Sequence, residues 1–129
     1  MRFRWTIIYV ADVTATIEFY ERAFGFTRRF ISGEGGYGEI ETGDTRLGFA
    51  AIKNSENALP GGVAPLDPAG QPQAAELGFV ADDVGAGVKQ AVDAGASLIS
   101  EPKEMPWGQT VAYVRDLNGV LVEIASDMA

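Results

Sequence analysis

The feature that most constrains this chain is a pattern that occurs twice. A short apolar, β-prone run is followed by a residue that can cap a helix, Asp12 or Thr14 in the first half, and then by apolar residues at three- and four-residue spacing that end at a glycine. The second occurrence follows the first at an offset of 71 residues, counted from Val13 to Val84. The paired segments are 7–10 and 77–80 for the strands, and 13–24 and 84–94 for the helices, which end at Gly25 and Gly95. The sequence therefore predicts two similar halves, each with a helix covering a sheet.

The segments after each helix also correspond. Two strands are predicted at 37–41 and 45–51, and two more at 110–114 and 120–124, where Asn118-Gly119 is a strong hairpin signal. The strand patterns near 26–31 and 99–105 are weaker, the latter because it contains Pro102. Each half is thus predicted as strand, helix and three strands, which places the chain in the α+β class.

The connection between the halves is predicted at 59–72. This segment holds four of the six prolines and three glycines, a composition typical of a surface connection. The chain of 129 residues is predicted to be one domain with halves at about 1–58 and 73–129. A half of this size buries too little apolar surface to be secure alone, so we expect the halves to pair.

Two residue types are missing from the composition. The chain has no cysteine and no histidine, which removes disulfides, thiolate ligands and the commonest metal ligand and general base. A formal charge of −8 disfavours nucleic acid and anionic membranes as partners, since both favour dense basic patches. No run approaches the length of a membrane span and no signal-peptide pattern is present, so the expected location is cytoplasmic.

Three stretches give the sequence a family resemblance. They are 8–13 (IYVADV), 19–26 (FYERAFGF) and 113–124 (YVRDLNGVLVEI). They resemble signature stretches of the glyoxalase / bleomycin-resistance / dioxygenase (vicinal oxygen chelate) superfamily. The resemblance implies two βαβββ modules that form a curved mixed sheet around a cavity, often with a divalent metal held by the first and last strands of each module. It also implies a homodimer.

The four metal positions that the resemblance implies fall on Trp5, Gly48, Glu76 and Glu123. An indole has no acceptor lone pair and glycine has no side chain, so only the two glutamates can bind a metal. We therefore expect no cofactor, with Mg²⁺ or Mn²⁺ on Glu76 and Glu123 as the alternative. The absence of histidine excludes the iron-dioxygenase branch and disfavours the glyoxalase I branch.

Further cavity residues are predicted from strand alternation and from two loops. Ile7 and Tyr9 share a strand face with Trp5, and Leu121 shares one with Glu123. The loop residues predicted to contact a ligand are Tyr37, Trp107 and Gln109.

Three functions are compatible with this pattern. The first is binding of a small cationic or aromatic molecule in a cavity without the usual metal, as in a bleomycin-resistance protein. The second is a lyase or isomerase that uses Glu76 and Glu123 as an acid/base pair or around a weakly held cation. The third is a protein-interaction or regulatory adaptor, because fold does not determine function.

Overall fold

The computed structural model describes residues 1–128. In chain order, its elements are β1 (Trp5–Val10), α1 (Val13–Phe24), β2 (Arg28–Ile31), β3 (Tyr37–Ile40), β4 (Arg46–Ala51), a 3₁₀ helix (Ile52–Asn57), β5 (Glu76–Val80), α2 (Val84–Asp93), β6 (Ser97–Glu104), β7 (Thr110–Arg115) and β8 (Leu121–Ala125). The predicted βαβββ order is confirmed in both halves, and β6 continues through Pro102. The 3₁₀ helix was not predicted.

The chain divides into two compact units, Met1–Pro65 and Leu66–Ala129, and the division falls inside the predicted connection. Each unit has one four-stranded mixed sheet, in the order β1-β4-β3-β2 or β5-β8-β7-β6. The first strand of each unit pairs in parallel with the last, and the other neighbours are antiparallel. The α+β class is confirmed. No helix within the described residues is both long and apolar enough to cross a membrane.

Helix α1 begins and ends where its sequence predicts. The Asp12 side chain accepts a hydrogen bond from the Ala15 amide at 2.9 Å, as an N-cap should. Gly25 ends the helix in the left-handed conformation at φ 75°, which glycine adopts without steric penalty. Its apolar stripe is buried: Val13, Ile17, Phe19, Tyr20 and Ala23.

Helix α2 repeats the N-cap but ends differently. The Asp83 side chain accepts from the Ala86 amide at 3.0 Å. The C-cap is Ala94 in a right-handed conformation, and the predicted terminator Gly95 follows it at φ 118°. The helix therefore ends one residue earlier than the predicted 84–94, and Gly95 follows its C-cap instead of forming it.

Each helix covers one face of its sheet. In the first unit the rings of Tyr20 and Phe49 lie 4.8 Å apart, and in the second Ile124 lies against Gly87 of α2. Strand side chains alternate between faces, so the neighbours of these residues, Gly48 and Glu123, lie on the helix-free face. Trp5 and Glu76 share these faces, so all four predicted metal positions lie on the helix-free face of their own sheet.

The connection between β7 and β8 is longer than the two-residue turn that Asn118-Gly119 favours. The amides of Asn118 and Val120 both donate to one carboxylate oxygen of Asp116, each at 2.8 Å. The buried Asp116 therefore organises the chain from 116 to 120 as a wider turn.

Candidate functional site

The strand register shows that the four predicted positions are equivalent in pairs. Gly48 on β4 lies beside Ile7, two residues after Trp5 on β1, and Glu123 on β8 lies beside Gly78, two residues after Glu76 on β5. The two units therefore place these positions alike along their strands. The side chains differ, because the first unit has Trp5 and Gly48 where the second has Glu76 and Glu123.

In the second unit, Glu76 and Glu123 come together. They lie diagonally on neighbouring parallel strands, and Tyr113 of β7 lies directly opposite Glu123. The Tyr113 hydroxyl oxygen is 3.4 Å from a carboxyl oxygen of Glu76 and 3.3 Å from one of Glu123. Two carboxyl groups and a phenol thus meet on the helix-free face, within reach of solvent because Glu76 is exposed. We call these three residues the carboxyl site.

The carboxyl site holds protons tightly. A hydrogen bond to Glu123, together with desolvation and the negative charge of that neighbour, raises the pKa of Glu76 to about 7. Desolvation and the two carboxylates also raise the pKa of Tyr113. Near neutral pH Glu76 therefore exchanges its proton readily, with the phenol protonated beside it.

The equivalent place in the first unit is filled. A Cβ on Gly48 would overlap the Tyr37 hydroxyl and lie 2.8 Å from its ring carbon Cζ. That hydroxyl donates to the Glu39 carboxylate at 2.7 Å, and Arg29 and Arg46 lie 3.3 and 3.7 Å from the same residue. Glu39 is 5 % exposed, so a buried carboxylate is paired here with two arginines that reach solvent. Tyr37 therefore lies over Gly48 and occupies the space that a side chain there would need.

The donor set does not match the metal centre that the family resemblance implies. Trp5 and Gly48 offer no metal ligand, and the first unit has Tyr37 in the space beside Gly48. Among residues 1–128, no three or more His, Cys, Asp or Glu side chains are arranged to hold a metal ion. Glu76 and Glu123 alone supply two oxygen ligands.

The remaining predicted residues are distributed over three places. Trp5, Ile7 and Tyr9 share the helix-free face of β1, and Trp5 is 56 % exposed. Leu121 is the register partner of Glu76 and borders the carboxyl site. Trp107 and Gln109 lie before β7, near the C-terminal end of β8, whereas Glu76 lies beside its beginning.

Two residues of these sites were not predicted from sequence, Tyr113 and Glu39. Both occupy the same register position, opposite Glu123 and Gly48 respectively. The signal was available for Tyr113, because a hairpin centred near Asn118 places it across from Glu123. The same argument places Glu39 across from Gly48 in the first hairpin, but the burial of its carboxylate beside two arginines leaves no signal in the sequence.

The comparisons with known proteins agree with this architecture. The chain has 21 % identity and a TM-score of 0.82 to a glyoxalase-related enzyme from Fulvimarina pelagi, over 98 % of this chain and 88 % of that one. It has 23 % identity and a TM-score of 0.76 to a glyoxalase/bleomycin resistance protein/dioxygenase family enzyme from Burkholderia phytofirmans PsJN, over 96 % and 97 %. TioX from Micromonospora sp. ML1 matches with 21 % identity and a TM-score of 0.69, over 99 % and 100 %.

At these identities the solved structures show the fold alone. No curated protein matches the sequence. The family model for the Glyoxalase/Bleomycin resistance protein/Dioxygenase superfamily matches residues 2–124, nearly the whole chain. Together with the two βαβββ units, this match shows that the chain belongs to the Glyoxalase/Bleomycin resistance protein/Dioxygenase superfamily.

Proposed function

We propose that the protein binds a small organic cation at the carboxyl site, without the metal centre typical of its family. The observation that carries the proposal is the contact of Glu76, Glu123 and Tyr113 on an accessible sheet face. Two carboxyl groups in contact repel each other when both are ionised, and either a proton or a cation relieves the repulsion. A cationic ligand would therefore replace the shared proton.

The charge distribution supports a cationic ligand. Residues 66–129 carry three basic and ten acidic side chains, a net charge of −7, whereas residues 1–65 carry seven and eight, a net charge of −1. A field of one sign raises the local concentration of an oppositely charged ligand and speeds its arrival. The unit that contains the carboxyl site is thus the one that attracts cations.

The test compares a planar cation with its neutral analogue by isothermal titration calorimetry at pH 8. N-methylacridinium should bind, and acridine, which is neutral at that pH, should bind at least tenfold more weakly. Replacing both carboxyls (Glu76→Gln with Glu123→Gln) should remove the preference for the cation. Glu101→Gln, which changes one exposed acidic residue of β6 elsewhere in the same unit, is the matched control and should leave binding unchanged. Equal binding of both compounds would refute the proposal.

The pKa of Glu76 predicts how the affinity for a cation changes with pH. A cation competes with the proton, so its apparent affinity follows the ionised fraction of a group with a pKa of about 7. We expect affinity to rise about tenfold between pH 6 and pH 8, with release of a proton that appears as a buffer-dependent binding enthalpy. An affinity that stays constant over this range would contradict cation binding at Glu76.

A second function, a lyase or isomerase, is favoured by the same pKa. General acid/base groups work best with a pKa near the working pH, and Glu76 at about 7 meets that condition. Proton abstraction from a carbon acid would then use Glu76 as base with the Tyr113 hydroxyl as hydrogen-bond donor. Exchange of a substrate proton with deuterium from solvent, lost in Glu76→Gln, would identify this activity and distinguish it from binding alone.

A further inference from the structure

An exposed tryptophan marks a second surface of interest in the second unit. Trp107 is 65 % exposed, although tryptophan usually buries most of its surface. It lies in a tight turn in which the Met105 amide donates to the Gln109 carbonyl at 2.7 Å, and Gly108 adopts φ 97°. The turn therefore holds the indole at the end of the β6–β7 hairpin.

The indole is fixed in orientation. Its Nε1 donates to the Gln109 side-chain oxygen at 2.8 Å, and the Gln109 amide nitrogen donates to the Ser126 carbonyl at 2.9 Å. The Thr110 amide in turn donates to the Ser126 hydroxyl at 2.9 Å. The polar edge of the ring is thus satisfied by a chain of hydrogen bonds that ends on the segment after β8. What the exposed ring offers to a ligand is its apolar face.

The ring borders a groove of about 520 Å³, lined by Trp107, Gly108, Gln109, Asp127 and Met128. This volume lies in the range of small-molecule pockets. Asp127 supplies a carboxylate and Met128 a polarisable thioether, and the described residues that line the groove include no Lys or Arg. We call these five residues the indole groove.

We propose that the indole groove is a second binding site, selective for small alkylammonium cations. An aromatic face attracts a cation through its quadrupole, most strongly for tryptophan and for weakly hydrated ammonium groups. The Asp127 carboxylate adds a full negative charge that attracts the cation, and the flexible, polarisable thioether of Met128 packs against the methyl groups of the ammonium. The acidic residues of the unit favour the same sign of ligand.

The indole groove is separate from the carboxyl site. Asp127 follows the end of β8, whereas Glu76 pairs with Leu121 at its beginning. The strand of five residues between these positions spans roughly 15 Å. The two sites can therefore be tested independently, and the loss of one leaves the other intact.

The experiment uses choline and its neutral isostere 3,3-dimethylbutan-1-ol as probes of the full-length protein. ¹⁵N-labelled protein shows one indole N–H signal each for Trp5 and Trp107, and Trp5→Phe assigns them. Choline should shift the Trp107 signal in a saturable way, and the neutral isostere should shift it much less. Equal shifts with the two compounds would overturn the proposal.

Variants locate the interaction. Asp127→Asn, which keeps the indole as a reporter, should weaken choline binding at least fivefold, and Trp107→Leu should abolish choline-dependent shifts of the Gly108 amide. Glu101→Gln is the matched charge control and should bind as the parent protein does. Glu76→Gln with Glu123→Gln should also leave choline binding at Trp107 unchanged, which separates this site from the carboxyl site. Unchanged binding in Asp127→Asn, or loss in the Glu76/Glu123 variant, would overturn the assignment.

Discussion

At the scale of single residues, Gly48 is a position where a side chain would not fit. The Tyr37 ring fills the space above it and is held there by its hydrogen bond to Glu39. Any side chain at this position would have to displace a ring that is hydrogen-bonded to the buried Glu39. Gly48 lies inside a strand and has no positive φ, so other residues could adopt its backbone conformation. Glycine is therefore required here for space alone.

We expect Gly48→Ala to lower the free energy of unfolding by about 1–3 kcal/mol through overpacking. Gly78→Ala is the matched control, since Gly78 is also inside a strand and a Cβ there meets nothing within 4 Å. Urea unfolding followed by circular dichroism measures both. In a Tyr37→Ala background the cost of Gly48→Ala should shrink, and an undiminished cost would contradict the assignment of Tyr37 as the clashing group.

Glu76 gives the stability of the protein a pH dependence of known sign. Its folded-state pKa of about 7 is above the ordinary value of 4.5, so the folded state binds the proton more tightly than the unfolded state. The contribution of this group is fully present below about pH 4.5 and is lost as pH rises to about 7. The free energy of unfolding should therefore fall across this window.

We expect Glu76→Gln to remove that fall and to be more stable than the parent protein at pH 8. Because Glu76 is exposed, solvent screening keeps the difference below about 1 kcal/mol. Thermal unfolding at pH 5 and pH 8 measures it, with Glu101→Gln as the control that retains the parent slope. A larger advantage of Glu76→Gln at pH 5 than at pH 8 would contradict the sign.

At the scale of elements, Arg115 joins the end of β7 to the connection between the units. Arg115 is 6 % exposed, and its guanidinium donates to carbonyl oxygens of both segments. The acceptors are Asp67 at 2.9 Å, Pro68 at 3.1 Å, Gly70, and Gly119 at 2.9–3.0 Å. One buried side chain thus fixes the start of the second unit against its last turn.

We expect Arg115→Met to destabilise the second unit by about 2–3 kcal/mol, because several charge-assisted hydrogen bonds are lost at once. Residues 66–70 should also become the first site of proteolysis, since their backbone loses its partners. Lys103→Met, which removes an exposed cation from β6, is the control and should change neither property. Limited proteolysis with mass spectrometry locates the cleavage, and unchanged resistance at 66–70 would contradict this role.

At the scale of the whole molecule, the acidic side chains are concentrated in the second unit, with a net charge of −7 against −1 in the first. Charges that do not touch a ligand act on it through a field that salt screens within about 8–10 Å at physiological ionic strength. The overall charge therefore contributes to affinity for a cation in dilute salt and contributes little in concentrated salt.

We expect the affinity for N-methylacridinium to fall about three- to tenfold between 20 and 300 mM NaCl, and the binding of acridine to change little. Glu101→Lys with Glu104→Lys, which raises the net charge of the second unit by four away from the carboxyl site, should weaken cation binding at low salt only. A loss that persists at high salt would indicate a local effect on the site.

The sequence alone determined the doubled βαβββ architecture, because strand alternation, helical spacing and aspartate caps at Asp12 and Asp83 are local signals that occur in both halves. It also determined which equivalent positions lack a metal ligand, since Trp5 and Gly48 have none whatever their surroundings. It predicted Trp107 and Gln109 as ligand contacts but could not place them.

Only the tertiary structure decided what surrounds those positions. The contact of Tyr113 with both carboxyls, the Tyr37 ring above Gly48 and the buried Glu39 depend on register across strands that are distant in sequence. Such contacts arise from packing and desolvation between elements, and these produce no periodic pattern in the sequence. The sequence had paired Glu76 with Glu123, and only the assembled sheet brings Tyr113 into contact with both carboxyls.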